Sequence, residues 1–103
     1  MSSFPFSAAE GHRKPENQGL SVLCLSLRAI PESGVLARVA QQLARRGLLP
    51  IRLHSTETGE HLLMDLQIAG LGEREGEALA ESLRQVVGIE EVLTARVLRQ
   101  SAA

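Results

Sequence analysis

The sequence predicts an α+β sandwich: a four-stranded antiparallel sheet with two helices on one face, in the order β-α-β-β-α-β. Three observations carry the prediction. Four stretches alternate apolar and polar residues with a period of two. Two further stretches, at 30–47 and 73–88, space their apolar residues one, three or four apart and end in glycine. The second and third alternating stretches are separated only by the turn-forming run TETGE, so the middle pair is the hairpin.

Each element follows from its own residues. In SVLCLSLR, Leu23, Leu25 and Leu27 alternate with Cys24, Ser26 and Arg28, which gives a strand with one apolar face. In IPESGVLARVAQQLARRG, the residues Val35, Leu36, Val39, Ala40 and Leu43 fall on one side of a helix. Arg38, Gln41, Gln42 and Arg45 fall on the other side. Pro31 suits the first helical turn, Ser33 suits the cap, and Gly47 suits the left-handed exit. Gly34 is placed in the tight turn that opens this helix.

LPIRLHS is a second strand with Leu49, Ile51 and Leu53 inward, and HLLMDLQIA a third with Leu62, Met64, Leu66 and Ile68 inward. Setting His54 opposite His61 pairs Leu53 with Leu62, Ile51 with Met64 and Leu49 with Leu66, and puts Arg52 diagonal to Asp65. Gly59 supplies the positive φ of the turn. The second helix, EREGEALAESLRQVVG, carries Ala78, Leu79, Leu83, Val86 and Val87 as its apolar stripe, acids at its start and Gly88 at its close. EEVLTARVLRQ is a fourth strand, with Leu93, Ala95 and Val97 expected inward. This order, with helices on one face, is the ferredoxin-like sandwich. Its other sheet face is polar and mixed: Cys24, Ser26, Arg28, Arg52, His54, Leu63, Asp65 and Gln67.

Length and composition bound what the chain does. Its 103 residues allow one domain, read as 20–100, behind a tail at 1–19 that has no periodicity and is expected to be disordered. Phe4 and Phe6 are candidate docking anchors within that tail. A net charge of −1 with interspersed signs argues against a nucleic-acid partner. No stretch reaches the length of a membrane span, and no apolar h-region opens the chain, so a cytoplasmic setting is expected. A single cysteine suits a reducing compartment. With no Trp or Tyr, and both Phe in the tail, the domain offers no ring for a base or cofactor to stack on.

Candidate chemistry is sparse. His54 and His61 lack a third ligand, so no metal is expected. Cys24 reads as a half-buried apolar side chain and Ser33 has no base nearby. No carboxylate pair, phosphate-cradling loop or dinucleotide fingerprint is present, so no catalytic residue and no cofactor are assigned. What remains is the turn before the first helix, where outward N–H groups, the positive dipole end and Gly34 favour an anionic ligand.

The run Pro31-Glu32-Ser33-Gly34-Val35-Leu36-Ala37-Arg38-Val39 resembles the opening of an ACT domain, which carries Asn/Asp-x-x-Gly-x-Leu after its first strand. Pro31 stands at the Asn/Asp position. RRGLLPIRLHS and GIEEVLTARVL are similar to the corresponding parts of short acetolactate synthase small subunits, so the likeness spans residues 21–99. The resemblance implies a non-catalytic regulatory subunit in branched-chain amino-acid biosynthesis. It would form a homodimer through a sheet edge and associate with the large catalytic subunit, a thiamine-diphosphate enzyme. A branched-chain amino acid would then lie against Glu32, Ser33, Gly34, Val35 and Leu36. The alternatives are a stand-alone ACT-domain amino-acid sensor serving another enzyme and a small ferredoxin-like enzyme. The last of these needs a polar catalytic cluster that the sequence does not offer.

Overall fold

The computed structural model describes residues 21–98. The expectations for the tail at 1–19, with Phe4 and Phe6, lie outside the described residues. The elements are β1 (Ser21–Ala29), α1 (Ser33–Arg45), β2 (Arg52–Glu57), β3 (Leu62–Ala69), α2 (Glu73–Arg84) and β4 (Ile89–Leu98). Their order is the expected one. The four strands form a single antiparallel sheet in the order β2-β3-β1-β4, so β1 and β3 are central while β2 and β4 are the edges.

The core lies between the sheet and the two helices. Leu23, Leu25 and Leu27 of β1 and Met64, Leu66 and Ile68 of β3 supply the sheet side, as their alternation predicts. α1 adds Val35, Val39 and Leu43, and α2 adds Leu79, Ala80 and Leu83. At about 1.5–3 kcal/mol for each fully buried Val or Leu, this burial outweighs helix propensity in holding α1 on the sheet. Gly47, at φ 66°, ends α1: its N–H donates to Ala44 O at 3.0 Å, and Leu48 N–H donates to Leu43 O at 2.9 Å.

Several expectations are corrected. The hairpin register is shifted by four residues: Leu53 lies opposite Leu66, and His54 lies opposite Asp65 rather than His61. The reason is a tighter turn. Thr58 N–H donates to His61 O at 2.9 Å, which leaves only Gly59 and Glu60 in the loop. A shift of four keeps the faces, so Leu53 does share a face with Leu66. Neither helix covers that edge, however, and Leu49, Ile51 and Leu53 are 86%, 48% and 51% exposed.

β4 is turned over relative to expectation. Val92, opposite Leu27, faces the core, with Thr94 and Arg96 on the same face opposite Leu25 and Leu23. Leu93, Ala95 and Val97 point to the open face. Pairing with β1 decides this: with Val92 opposite Leu27, period-two alternation carries Thr94 and Arg96 to the core side although Leu93, Ala95 and Val97 are the more apolar set. On the helices, Leu36, Ala40 and Ala78 are exposed, while Gly76 and Ala80 are buried in place of Ala78; Val87 lies beyond the end of α2 and is also exposed. Pro31 precedes the cap of α1. The cap is Glu32, not Ser33, and it makes no side-chain capping bond. Gly34 is the second residue of α1 rather than part of a preceding turn. Gly88 takes φ 100°, but four residues beyond the end of α2. Among the described residues, no helix is long and apolar enough to cross a membrane.

Candidate functional site

The joint between β1 and α1 is built by three short backbone bonds. Ile30 N–H donates to Gly88 O at 2.9 Å, tying the end of β1 to the segment after α2. Glu32 N–H donates to Ile30 O at 2.8 Å, and Val35 N–H to Glu32 O at 3.1 Å. That leaves the N–H groups of Ser33 and Gly34 without a protein acceptor among the described residues. They point out of the positive end of a helix whose first turn contains no acid.

Arg38 completes the joint. One helical turn after Gly34, its Nη1–H donates to Val87 O at 3.0 Å. A Cβ on Gly34 would lie 3.2 Å from Arg38 Nη2, so the guanidinium rests against the bare glycine. A Cβ on Gly88 would lie 2.6 Å from Val35 Cγ2. Two glycines therefore let the first turn of α1, the segment after α2 and one arginine converge. A helix terminus with free N–H donors and an adjacent guanidinium is suited to a carboxylate.

The residues singled out by sequence divide into two groups here. Ser33 and Gly34 present free N–H groups, Glu32 is exposed at the cap, and Leu36 is 39% exposed beside them. Val35 is fully buried in the core, and its N–H is already bonded to Glu32, so it supports the joint from beneath. Arg38, Val87 and Gly88 were missed. The helical pattern alone assigns Arg38 to the solvent side, although a spacing of four from Gly34 sets both on one face. The two cavities described along β4, of about 540 and 330 Å³, do not touch this joint.

Elsewhere the polar groups pair with one another. Ser26 Oγ donates to Asp65 Oδ1 at 3.1 Å on the open sheet face. Arg28 reaches Glu91 at 2.8 Å and Glu90 at 3.3 Å, and His61 Nδ1 lies 3.3 Å from Glu90. Cys24 is free and half-buried. No group of three or more His, Cys, Asp or Glu among the described residues is placed to hold a metal.

The structure is thus an α+β sandwich with free donors at the start of α1 among the described residues. The chain belongs to the ACT-like domain family, whose model matches residues 18–101. Solved structures agree on the fold. The ACT domain of a GTP pyrophosphokinase from Chlorobium tepidum superposes with a TM-score of 0.65 at 12% identity, covering 72% of this chain and 96% of that one. The ligand-free regulatory subunit of aspartate kinase from Thermus thermophilus gives 0.60 at 22% identity, over 74% of this chain and 51% of that one. The same subunit from Thermus flavus gives 0.55 at 26%, over 73% and 51%. Among curated proteins, none matches this sequence.

Proposed function

We propose that this chain is a non-catalytic regulatory subunit of acetolactate synthase, acting in the cytoplasm in branched-chain amino-acid synthesis. Residues 20–100 form its ACT domain. Two copies pair through the β2 edge, and a branched-chain amino acid lies against the start of α1. Its carboxylate accepts from the N–H groups of Ser33 and Gly34, and Arg38 balances its charge. Leu36, exposed beside them, offers the aliphatic side chain a contact.

The observation that carries this reading is the pair of free N–H groups at Ser33 and Gly34 beside the Arg38 guanidinium. The sequence likeness at 31–55 supports the choice of enzyme. The exposed Leu49, Ile51 and Leu53 at the start of the β2 edge support the choice of edge, since exposed apolar edges favour association.

The test is affinity recovery of the tagged full chain from its native lysate, followed by activity assays with and without valine. Recovery of a thiamine-diphosphate-dependent large subunit, activated by the chain, is the expected result. Gly34→Asp, which puts a carboxylate where the ligand's would lie, should abolish any valine response while leaving the fold intact. Recovery of a different enzyme would replace the acetolactate synthase assignment with that of a separate amino-acid sensor. The aspartate kinase regulatory subunits among the structural neighbours make that the second reading.

A further inference from the structure

We propose that the outer edge of β4, with the groove between it and α2, binds an extended basic segment of a partner protein, which adds to the sheet as a fifth strand. This surface lies at the opposite edge of the sheet from β2 and does not depend on the reading of the α1 site.

Among the described residues β4 pairs as a strand only with β1, so its other edge has no strand partner; of its carbonyls, Val92 O accepts from the Arg84 side chain. Beside it runs a groove of about 540 Å³ with Leu23, Gly76 and Ala80 at its floor and Thr94 and Arg96 on the strand side. Gly76 lets α2 approach the sheet closely here: a Cβ on it would lie 2.8 Å from Arg96 Nη2 and 3.1 Å from Leu23 Cδ2.

The charges select the occupant. The two arginines that line the groove already have protein acceptors, backbone carbonyls among them. Arg96 donates to Leu71 O at 2.6 Å, Ser21 Oγ at 2.9 Å and Gly72 O at 3.3 Å. Arg84 donates to Val92 O at 3.2 Å and to Glu81 at 3.4 Å. Glu73 and Glu77, also lining the groove, have no ion-pair partner among the described residues.

The spacing fits an added strand. Glu73, Glu77 and Glu81 follow one another at four-residue intervals, a rise of about 6 Å each. Alternate residues of an extended chain project to the same face about 6.6–6.8 Å apart. Because Arg96 reaches Gly72 at the start of α2 and Arg84 reaches Val92 from its end, α2 and β4 run antiparallel side by side. A segment paired to β4 with Lys or Arg at every second position therefore meets the glutamates in succession, while its backbone satisfies the free edge. A second copy fits worse: two-fold pairing of β4 edges sets the acidic row against itself.

A labelled synthetic peptide with Lys at alternate positions and Thr or Val between them is titrated into the full chain at low salt and followed by anisotropy and by amide chemical shifts. Saturable binding is expected, with shifts confined to β4 and α2. The double variant Glu73→Gln/Glu77→Gln should weaken it about tenfold, the size of two exposed ion pairs. A peptide of the same composition with a central proline should bind no better than that, because it cannot pair along the edge. Equal binding by the proline peptide or by the double variant overturns the proposal, as does the absence of saturation. Slow amide exchange along the outer edge of β4 in the protein alone also overturns it, since the edge would already be taken.

Discussion

The two edges of this sheet are both largely exposed, but only β4 is held by a helix. Leu53 of β2 shares the core-side face, and Leu49 and Ile51 lie in the segment leading into the strand, yet neither helix covers them and every residue of the strand is exposed. β4 buries Val92, packs against α2, and is tied at both ends of that helix by arginines bonded to backbone carbonyls. Both strands have alternating sequences, and both pair with a central strand. The difference comes from helix placement: α1 and α2 sit over the centre and the β4 side, and β2 is left outside. An apolar face on a strand is thus a licence to be buried, and the neighbouring layer decides whether burial is internal or left to a partner.

The largest expected effect tests what the edges share. Leu25 is 1% exposed, central in β1, and lies opposite both Leu66 and Thr94. Leu25→Ala should destabilise the domain by about 2–5 kcal/mol, read by urea denaturation. Probes placed at β2 and at β4 should lose signal together. Separate midpoints for the two edges would mean that the sheet does not melt as one unit.

A smaller effect is expected at the joint behind the α1 site. Gly88→Ala adds a Cβ at φ 100° and 2.6 Å from Val35 Cγ2. A loss of more than about 1 kcal/mol should follow. It should also move Arg38 off Val87 O, so that any ligand at Gly34 binds more weakly. A variant as stable as the parent would show that this close approach is not needed.

Arg96→Ala sharpens the contrast directly. The arginine's three bonds join β4 to the start of α2 and to Ser21, and its loss should destabilise by about 1–2 kcal/mol. Hydrogen exchange should quicken in β4 and the first turn of α2 while that in β2 stays as it was. Equal acceleration at β2 would show that the two edges are not independently held.

Most of the fold was legible because strand alternation and the helical spacing of apolar residues are local signals, and these set the order of all six elements. What failed was non-local. The hairpin register depended on whether Gly59 and Glu60 alone could make the turn. The inward face of β4 depended on its pairing with β1, since counting apolar residues favours Leu93, Ala95 and Val97 over Val92. The exposure of Leu49, Ile51 and Leu53 depended on where α1 would lie. The candidate site was half legible: Ser33 and Gly34 follow from the helix start. Arg38 required a partner, Val87 O, that is 49 residues away in sequence.

The smallest effect on stability carries the sharpest statement about the edges. Leu49 and Leu53 lose little water contact when one chain folds, being 86% and 51% exposed, so Leu49→Ser/Leu53→Ser should leave the unfolding free energy within about 0.5 kcal/mol of the parent per site, with both read by urea at a concentration where the parent is dissociated. If β2 is the edge that joins two copies, the same change removes the apolar contact of that interface. Sedimentation should then pass from a dimer to a single chain at micromolar concentration. A stable monomer with an unchanged midpoint separates the two roles of an apolar residue, folding and association, on one strand. If the variant remains dimeric, the apolar row is not what joins the copies, and the contrast between the edges would rest on burial alone.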